Sequence, residues 1–170
     1  MSLNSRPLPF DAIAEARRQW ESHGWKGASA MATVTSIMRA QQIVLARVDA
    51  VLRPLDLTFA RYEALVLLFF SRTGSLPMGK MGSRLMLHPT SVTNIIDRLE
   101  VQGLVRRASH PTDRRTTLAE ITDEGRKVVE AATEATGEIS LGMGNLTDGD
   151  LDRITDLLRH LRVDAGDFPE

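Results

Sequence analysis

The sequence predicts a mainly α-helical chain with one small antiparallel β-wing, and three observations carry that expectation. Apolar residues recur at helical spacing through most of the 170 residues. Two short β-prone runs flank the turn-rich His110-Pro111-Thr112-Asp113. Gly or Pro stands wherever one helical pattern gives way to the next, and no internal repeat or low-complexity tract interrupts the order.

Pro7 and Pro9 precede an amphipathic stretch over residues 11–21, where Ile13, Ala16, Arg17 and Trp20 share a helical face; Gly24 and Gly27 end it. Over residues 29–53, Val34, Ile37, Met38, Val44, Leu45, Val48, Val51 and Leu52 mark a long helix with one apolar face. Pro54 closes it, because the residue before a proline is pushed out of the α region. Thr58 is expected to cap a third helix carrying Tyr62, Leu65, Val66, Phe69 and Phe70, which Gly74 and Pro77 stop.

Residues 78–87 form a short helix, and Pro89, tolerated at a first helical position, starts another. Val92, Ile95, Ile96 and Leu99 are its core stripe and Gly103 its left-handed terminator. Two helices joined by about three residues read as a helix-turn-helix. Residues 104–108 and 116–121 form a two-stranded hairpin, the wing. Thr122 caps a helix over residues 123–141 with Val128, Ala132, Ala135 and Ile139 spaced for packing. After Gly142 and Gly144, Thr147 caps a last helix striped with Leu151, Ile154, Leu157, Leu158 and Leu161. The architecture expected is a winged helix-turn-helix domain plus a helical dimerisation region.

Composition excludes several classes. With 42% hydrophobic and 25% charged residues the chain is neither disordered nor fibrous. Its longest apolar run, ending at Phe70, is far short of the roughly 20 residues a membrane helix needs. Residues 1–20 show no apolar core of a secretory signal, so the expected compartment is the cytoplasm. The absence of Cys removes disulfides, thiolate zinc sites and cysteine redox switches. The histidines at 23, 88, 110 and 160 lack metal-motif spacing, and no phosphate-binding loop, nucleophile elbow or His-Glu-x-x-His occurs. Neither a cofactor, a metal nor an enzymatic activity is expected, and Met78, Met81 and Met86 are read as core fillers.

The net charge of −1 is unevenly spread: +3 over residues 1–79, +4 over 80–115 and −8 over 116–170. A basic centre beside an acidic tail suits a chain with one face toward a polyanion. On the helix after Pro89, Ser91, Asn94 and Arg98 lie at i, i+3 and i+7, with Thr90 and Thr93 adjoining. Hydroxyls near a helix N-terminus suit phosphate, Asn can bond adenine bidentately, and Arg98 can meet guanine or phosphate. Arg106, Arg107, Arg114 and Arg115 put four guanidinium groups on the hairpin, a form that suits a narrow minor groove unless the hairpin is only charged and held by cross-strand pairs. Asp113 is expected to pair with Arg115 and fix its guanidinium.

The run Thr90-Ser91-Val92-Thr93-Asn94-Ile95-Ile96-Asp97-Arg98-Leu99-Glu100, then Gly103-Leu104-Val105, Asp113-Arg114-Arg115 and Leu118-Ala119-Glu120-Ile121-Thr122-Asp123-Glu124-Gly125, resembles the MarR family of bacterial transcriptional regulators. The resemblance in helix order extends over about residues 30–162. It implies a homodimer built from terminal helices and an effector that weakens DNA binding. It places the DNA contacts at Thr90, Ser91, Thr93, Asn94, Arg98, Asp113, Arg114 and Arg115, with Asp113 and Arg115 as the Asp-x-Arg motif. It places an effector pocket at Arg39, Tyr62 and Glu63, covered by Trp20, unless Trp20 only staples its helix to the dimer. The helix around Trp20 lies outside the minimal family pattern, and some members that respond to small anionic metabolites carry one.

The organisation expected is an N-terminal extension helix (1–28), a dimerisation helix (29–57), a winged helix-turn-helix DNA-binding lobe (58–121) and C-terminal dimerisation helices (122–170). The expected function is a sequence-specific repressor of double-stranded, pseudo-palindromic operators, released by a small-molecule effector and acting as a homodimer away from any membrane. The alternative is a winged-helix module that binds a protein partner or a metabolite without operator recognition.

Overall fold

The computed structural model describes residues 8–113 and 115–168; Pro7 and Arg114 of the sequence reading fall outside the described residues. Helix α1 (Ala12–Ser22) is capped by Asp11, whose Oδ1 accepts the N–H groups of Ile13 (2.9 Å) and Ala14 (3.1 Å). Gly27, at φ 79°, then turns the chain into α2 (Ala28–Leu52), against which α1 lies. The corner is tied by the Trp20 indole, which donates to the Lys26 carbonyl at 2.9 Å and meets Trp25 edge-on at 5.0 Å.

A 3₁₀ turn (Arg53–Leu55) leads to α3 (Phe59–Phe69). Thr58 occupies the N-cap position but makes no side-chain cap bond. Asp49 of α2 does that work, its Oδ1 accepting the Phe59 N–H at 2.8 Å, because a carboxylate arriving from a neighbouring helix is the stronger acceptor for an orphan donor.

The expected hairpin forms from β2 (Val105–Ser109) and β3 (Thr117–Ile121), and a third strand joins it. Ser75–Pro77 forms a strand, β1, and the sheet runs β1-β3-β2, all antiparallel, with Ser75 opposite Glu120 and Val105 opposite Ile121. Three residues ending in proline show no alternation to read from sequence, and proline is tolerated only because β1 is an edge. Helices α4 (Met78–Leu85) and α5 (Pro89–Val101) follow, then β2 (Val105–Ser109) and β3 (Thr117–Ile121). Met81 is fully buried as expected, but Met86 is 66% exposed and left-handed, ending α4 where no glycine is available.

The core joins the end of α2 to the central lobe: Leu52, Leu65, Leu68, Met81, Ile96 and Leu99 are wholly enclosed. Helix α6 (Asp123–Glu138) closes it with Val129, Ala132 and Thr136; the half-buried Val128, Ala135 and Ile139 flank that stripe. Its first turn meets the chain end of α5. Thr122 donates its N–H to the Leu104 carbonyl (3.0 Å) and its hydroxyl to the Gly103 carbonyl (2.8 Å). A Cβ on Gly125 would stand 2.1 Å from the Leu104 carbonyl oxygen, so only glycine fits there.

The α6 helix stops at Glu138, short of the expected 141, because Ser140, Leu141 and Gly142 take φ values of 48°, 49° and 81°. Arg47 of α2 holds this knuckle by donating to the Gly142 carbonyl at 2.7 Å. Helix α7 (Asp148–Asp164) begins with a capping box between Thr147 and Asp150 and buries none of its residues.

Candidate nucleic-acid interface

Helix α5 is presented by its own N-terminus. Pro89 fills the first helical position, and the His88 ring Nδ1 accepts the Thr90 N–H at 3.3 Å, satisfying one orphan donor. Val92, Ile96 and Leu99 turn inward, leaving Thr90, Ser91, Thr93, Asn94 and Arg98 exposed on the opposite face. The Thr93 hydroxyl is turned back onto the Pro89 carbonyl (3.1 Å), which leaves it only its lone pairs to offer. Arg98 makes no ion pair among the described residues.

The wing arginines divide into two kinds. Arg106 bonds the directly opposite Glu120 with two nitrogens, at 2.8 and 3.2 Å, and Arg107 bonds Asp97 and Glu100 of α5. Both are committed to carboxylates, so the expectation of four available guanidinium groups on the hairpin is too generous. Arg115 stands exposed at the tip.

Asp113 fixes Arg115 through the backbone and not through its guanidinium. One carboxylate oxygen accepts the Arg115 N–H (3.0 Å) and the other the Thr116 hydroxyl (2.7 Å). An Asp two residues ahead of a turn amide reaches it without stretching, whereas pairing with the long side chain would forgo both bonds. The Thr116 hydroxyl and the Arg115 amide hold the Asp113 carboxyl below the usual carboxylate range. His110 supports the same turn, its Nδ1 accepting the Asp113 N–H at 3.2 Å.

A cleft of about 600 Å³ between the first turn of α4, α5 and the wing brings Thr93 and Arg115 together with Lys80 and Thr117. Nothing in the sequence singles out Lys80 beyond a basic residue in the first turn of the helix before α5.

The expected pocket residues are placed apart. The Tyr62 hydroxyl is enclosed between α3 and α6, 3.0 Å from the Thr133 hydroxyl. Glu63 is beside it on α3, its carboxyl pushed up by loss of water. Arg39 is exposed on α2 and donates to Gln42 (3.1 Å), and Trp20 sits at the α1–α2 corner. Neither the cleft between α3 and α6, the one at the wing nor the one beside Arg47 is lined by any of the four. An apolar cleft of about 220 Å³ between α3 and α6, lined by Val66, Phe69, Phe70, Val129, Glu130 and Thr133, reaches Tyr62 through Thr133.

Comparison with known proteins matches residues 57–117, the lobe just described, to the MarR family model. The chain is 57% identical to Sco5413, a MarR family transcriptional regulator from Streptomyces coelicolor, over 85% of this chain and 100% of that one, with a TM-score of 0.77. The chain belongs to the MarR family. As a MarR-family protein it is a DNA-binding transcriptional regulator and not an enzyme. It is also 31% identical to the uncharacterized HTH-type transcriptional regulator YhbI of Bacillus subtilis, over 79% of this chain and 80% of that one. A further MarR-fold neighbour, Bordetella bronchiseptica BpsR, is 25% identical, with a TM-score of 0.67 over 75% of this chain and 90% of that one; 6-hydroxynicotinic acid regulates its DNA binding. No helix among the described residues is long and apolar enough to cross a membrane.

Proposed function

We propose that the protein is a homodimeric repressor that acts in the cytoplasm, binds a pseudo-palindromic operator and is released by a small-molecule effector. The observation that carries the operator reading is the free polar face of α5, where Ser91, Asn94 and Arg98 line up without a carboxylate partner, beside a wing tip whose Arg115 is preset by Asp113. In this reading α5 enters a major groove, reading bases with Asn94 and Arg98, while Thr90, Ser91 and Thr93 meet backbone. Arg115, with Arg114 beside it in sequence, enters the adjoining minor groove.

The dimer follows from unpartnered apolar surface. In α7, Leu157 and Leu161 are 70% and 58% exposed, and Val34 and Met38 of α2 are similarly bare. Residues 29–57 and 122–170 then supply the interface, with 1–28 as an extension, and two copies of the lobe 58–121 face half-sites roughly 10 base pairs apart. Regulation of BpsR by a small aromatic acid supports an effector here too. The α3–α6 cleft, which reaches Tyr62 through Thr133, is the entry we favour, with Glu63, Arg39 and Trp20 as further contacts. To act, the effector must prefer the DNA-incompetent state, by on the order of 5 kcal/mol for a near-complete switch.

The test is selection of bound duplexes from a random pool, followed by salt titration of the best sequence. Operator binding releases counterions, so affinity falls steeply and linearly on a logarithmic salt scale. A protein-binding or metabolite-binding module would select no sequence and show no such slope.

A further inference from the structure

The Arg107 side chain reaches back from the wing to the recognition helix and binds two carboxylates there. Its guanidinium bonds Asp97 with one nitrogen and Glu100 with another, and its backbone N–H donates to Glu100 at 3.1 Å. Asp97 and Glu100 are one helical turn apart on α5, and Asp97 is itself one turn beyond Asn94 on the reading face. The intervening chain turns back at Gly103, φ 72°, so these bonds span the open side of a corner whose closed side is the helix-to-strand turn. Arg107 is mostly covered, with 30% of its side chain exposed, and its donors are turned toward α5. A guanidinium is suited to this, since its planar fork fixes direction as well as distance.

We propose that Arg107 is a positioning residue for DNA recognition: a strut that sets the distance and angle between the recognition helix and the wing. Two acidic residues on a helix that faces a polyanion are otherwise unfavourable, because bare carboxylates repel phosphate. Their presence makes sense if what they gain is alignment. With the strut in place, Asn94 and Arg98 in one groove and Arg115 in the next can engage in a single rigid approach. Without it each engagement must first immobilise the wing, and misalignment weakens contacts the strut never touches.

The inference rests on the operator reading above, and the experiment separates the two. Glu100→Gln combined with Asp97→Asn removes two negative charges from the DNA-facing helix, so electrostatics alone predicts tighter operator binding at low salt. The strut predicts at least fivefold weaker binding. Arg107→Lys keeps every charge but loses the fork, and should also weaken binding several-fold while leaving the melting temperature close to that of the unsubstituted protein. In the Arg107→Lys background, Arg115→Ala should cost less than it does alone, although the two side chains do not touch. Hydrogen exchange without DNA supplies the independent readout: amides of residues 105–121 should exchange faster in Arg107→Lys while those of α3 and α6 do not. Unchanged or tighter operator binding by the carboxylate variant, or additive losses for Arg107→Lys and Arg115→Ala, overturns the strut. Failure of the unsubstituted protein to select any sequence would instead remove the operator reading itself.

Discussion

The lobe and the arms of this molecule are built on opposite plans. Between Leu57 and Ile121 each helix turns buried side chains into a shared interior; α3 alone encloses Tyr62, Ala64, Leu65 and Leu68. In the arms, α1 and α7 bury nothing, and 25-residue α2 buries only Val48 and Leu52, where it joins the lobe. Both regions carry good helical stripes in sequence. The difference shows that an apolar stripe states only that a helix needs cover, not that its own chain supplies it.

The same kind of change should therefore have different consequences in the two regions. Leu65→Ala empties a fully enclosed site and should cost about 3 kcal/mol, seen as a fall in melting temperature at every protein concentration. Leu157→Asp touches no interior of its own chain, so its effect should appear in sedimentation, as a shift from about twice the chain mass toward one chain mass at micromolar concentration. A monomer before substitution would break the comparison, since the arms would then have no partner at all.

Where lobe and arm meet, Gly125→Ala should cost about 2 kcal/mol or more, because the added methyl meets the Leu104 carbonyl and backbone must shift. Thermal unfolding measures it; a neutral result would mean that the α6 start is looser than the packing implies.

Within the lobe, Arg115→Ala should weaken operator binding about tenfold, roughly 1.4 kcal/mol. Asp113→Ala should weaken it less, despite removing a negative charge, because the Arg115 amide and the Thr116 hydroxyl lose their acceptor. Tighter binding by Asp113→Ala would dismiss the backbone-fixing role. Since the folded state depresses the Asp113 carboxyl, the turn is fully held above the ordinary carboxylate range and is released only as pH falls through the lowered value.

The smallest effect concerns Glu63. Its carboxyl is raised by loss of water, so folding favours the protonated form, and the cost of the charge is present at neutral pH and relieved as pH falls through the raised value. Glu63 is nonetheless exposed enough for water to screen much of this, so Glu63→Gln should stabilise the protein at pH 7 by under about 0.5 kcal/mol and leave stability near pH 4 almost unchanged. Urea titrations at the two pH values distinguish this from a uniform effect.

Helix order, the Pro89 start, the Gly103 end and the exposed face of α5 were all legible, because each depends on local periodicity or on one residue's backbone preference. What escaped was partnership across distance. Nothing in Ser75-Leu76-Pro77 announces a strand until β3 lies beside it, and nothing near Thr58 shows that Asp49, nine residues earlier, takes over the cap. Arg106 and Arg107 looked like further DNA contacts because a sequence shows charge but not the carboxylate opposite. Asp113 reads in the sequence as a partner of the Arg115 guanidinium, yet its partners are the Arg115 amide and the Thr116 hydroxyl, which no motif reveals.

The contact at Gly125 also has a mechanical reading. Helix α6 is 16 residues long, about 24 Å at 1.5 Å per residue, with its first turn pressed onto the turn that ends the recognition helix and its last turn against the Arg47-held knuckle. It is a lever with a short, side-chain-free fulcrum. A tilt of about 5° at Gly125 carries the far end about 2 Å, and the reverse holds when the far end is pushed. In the proposed dimer, with half-sites one turn apart, about 34 Å, such a swing would carry an ångström-scale displacement among the arms into the spacing of the two copies of α5.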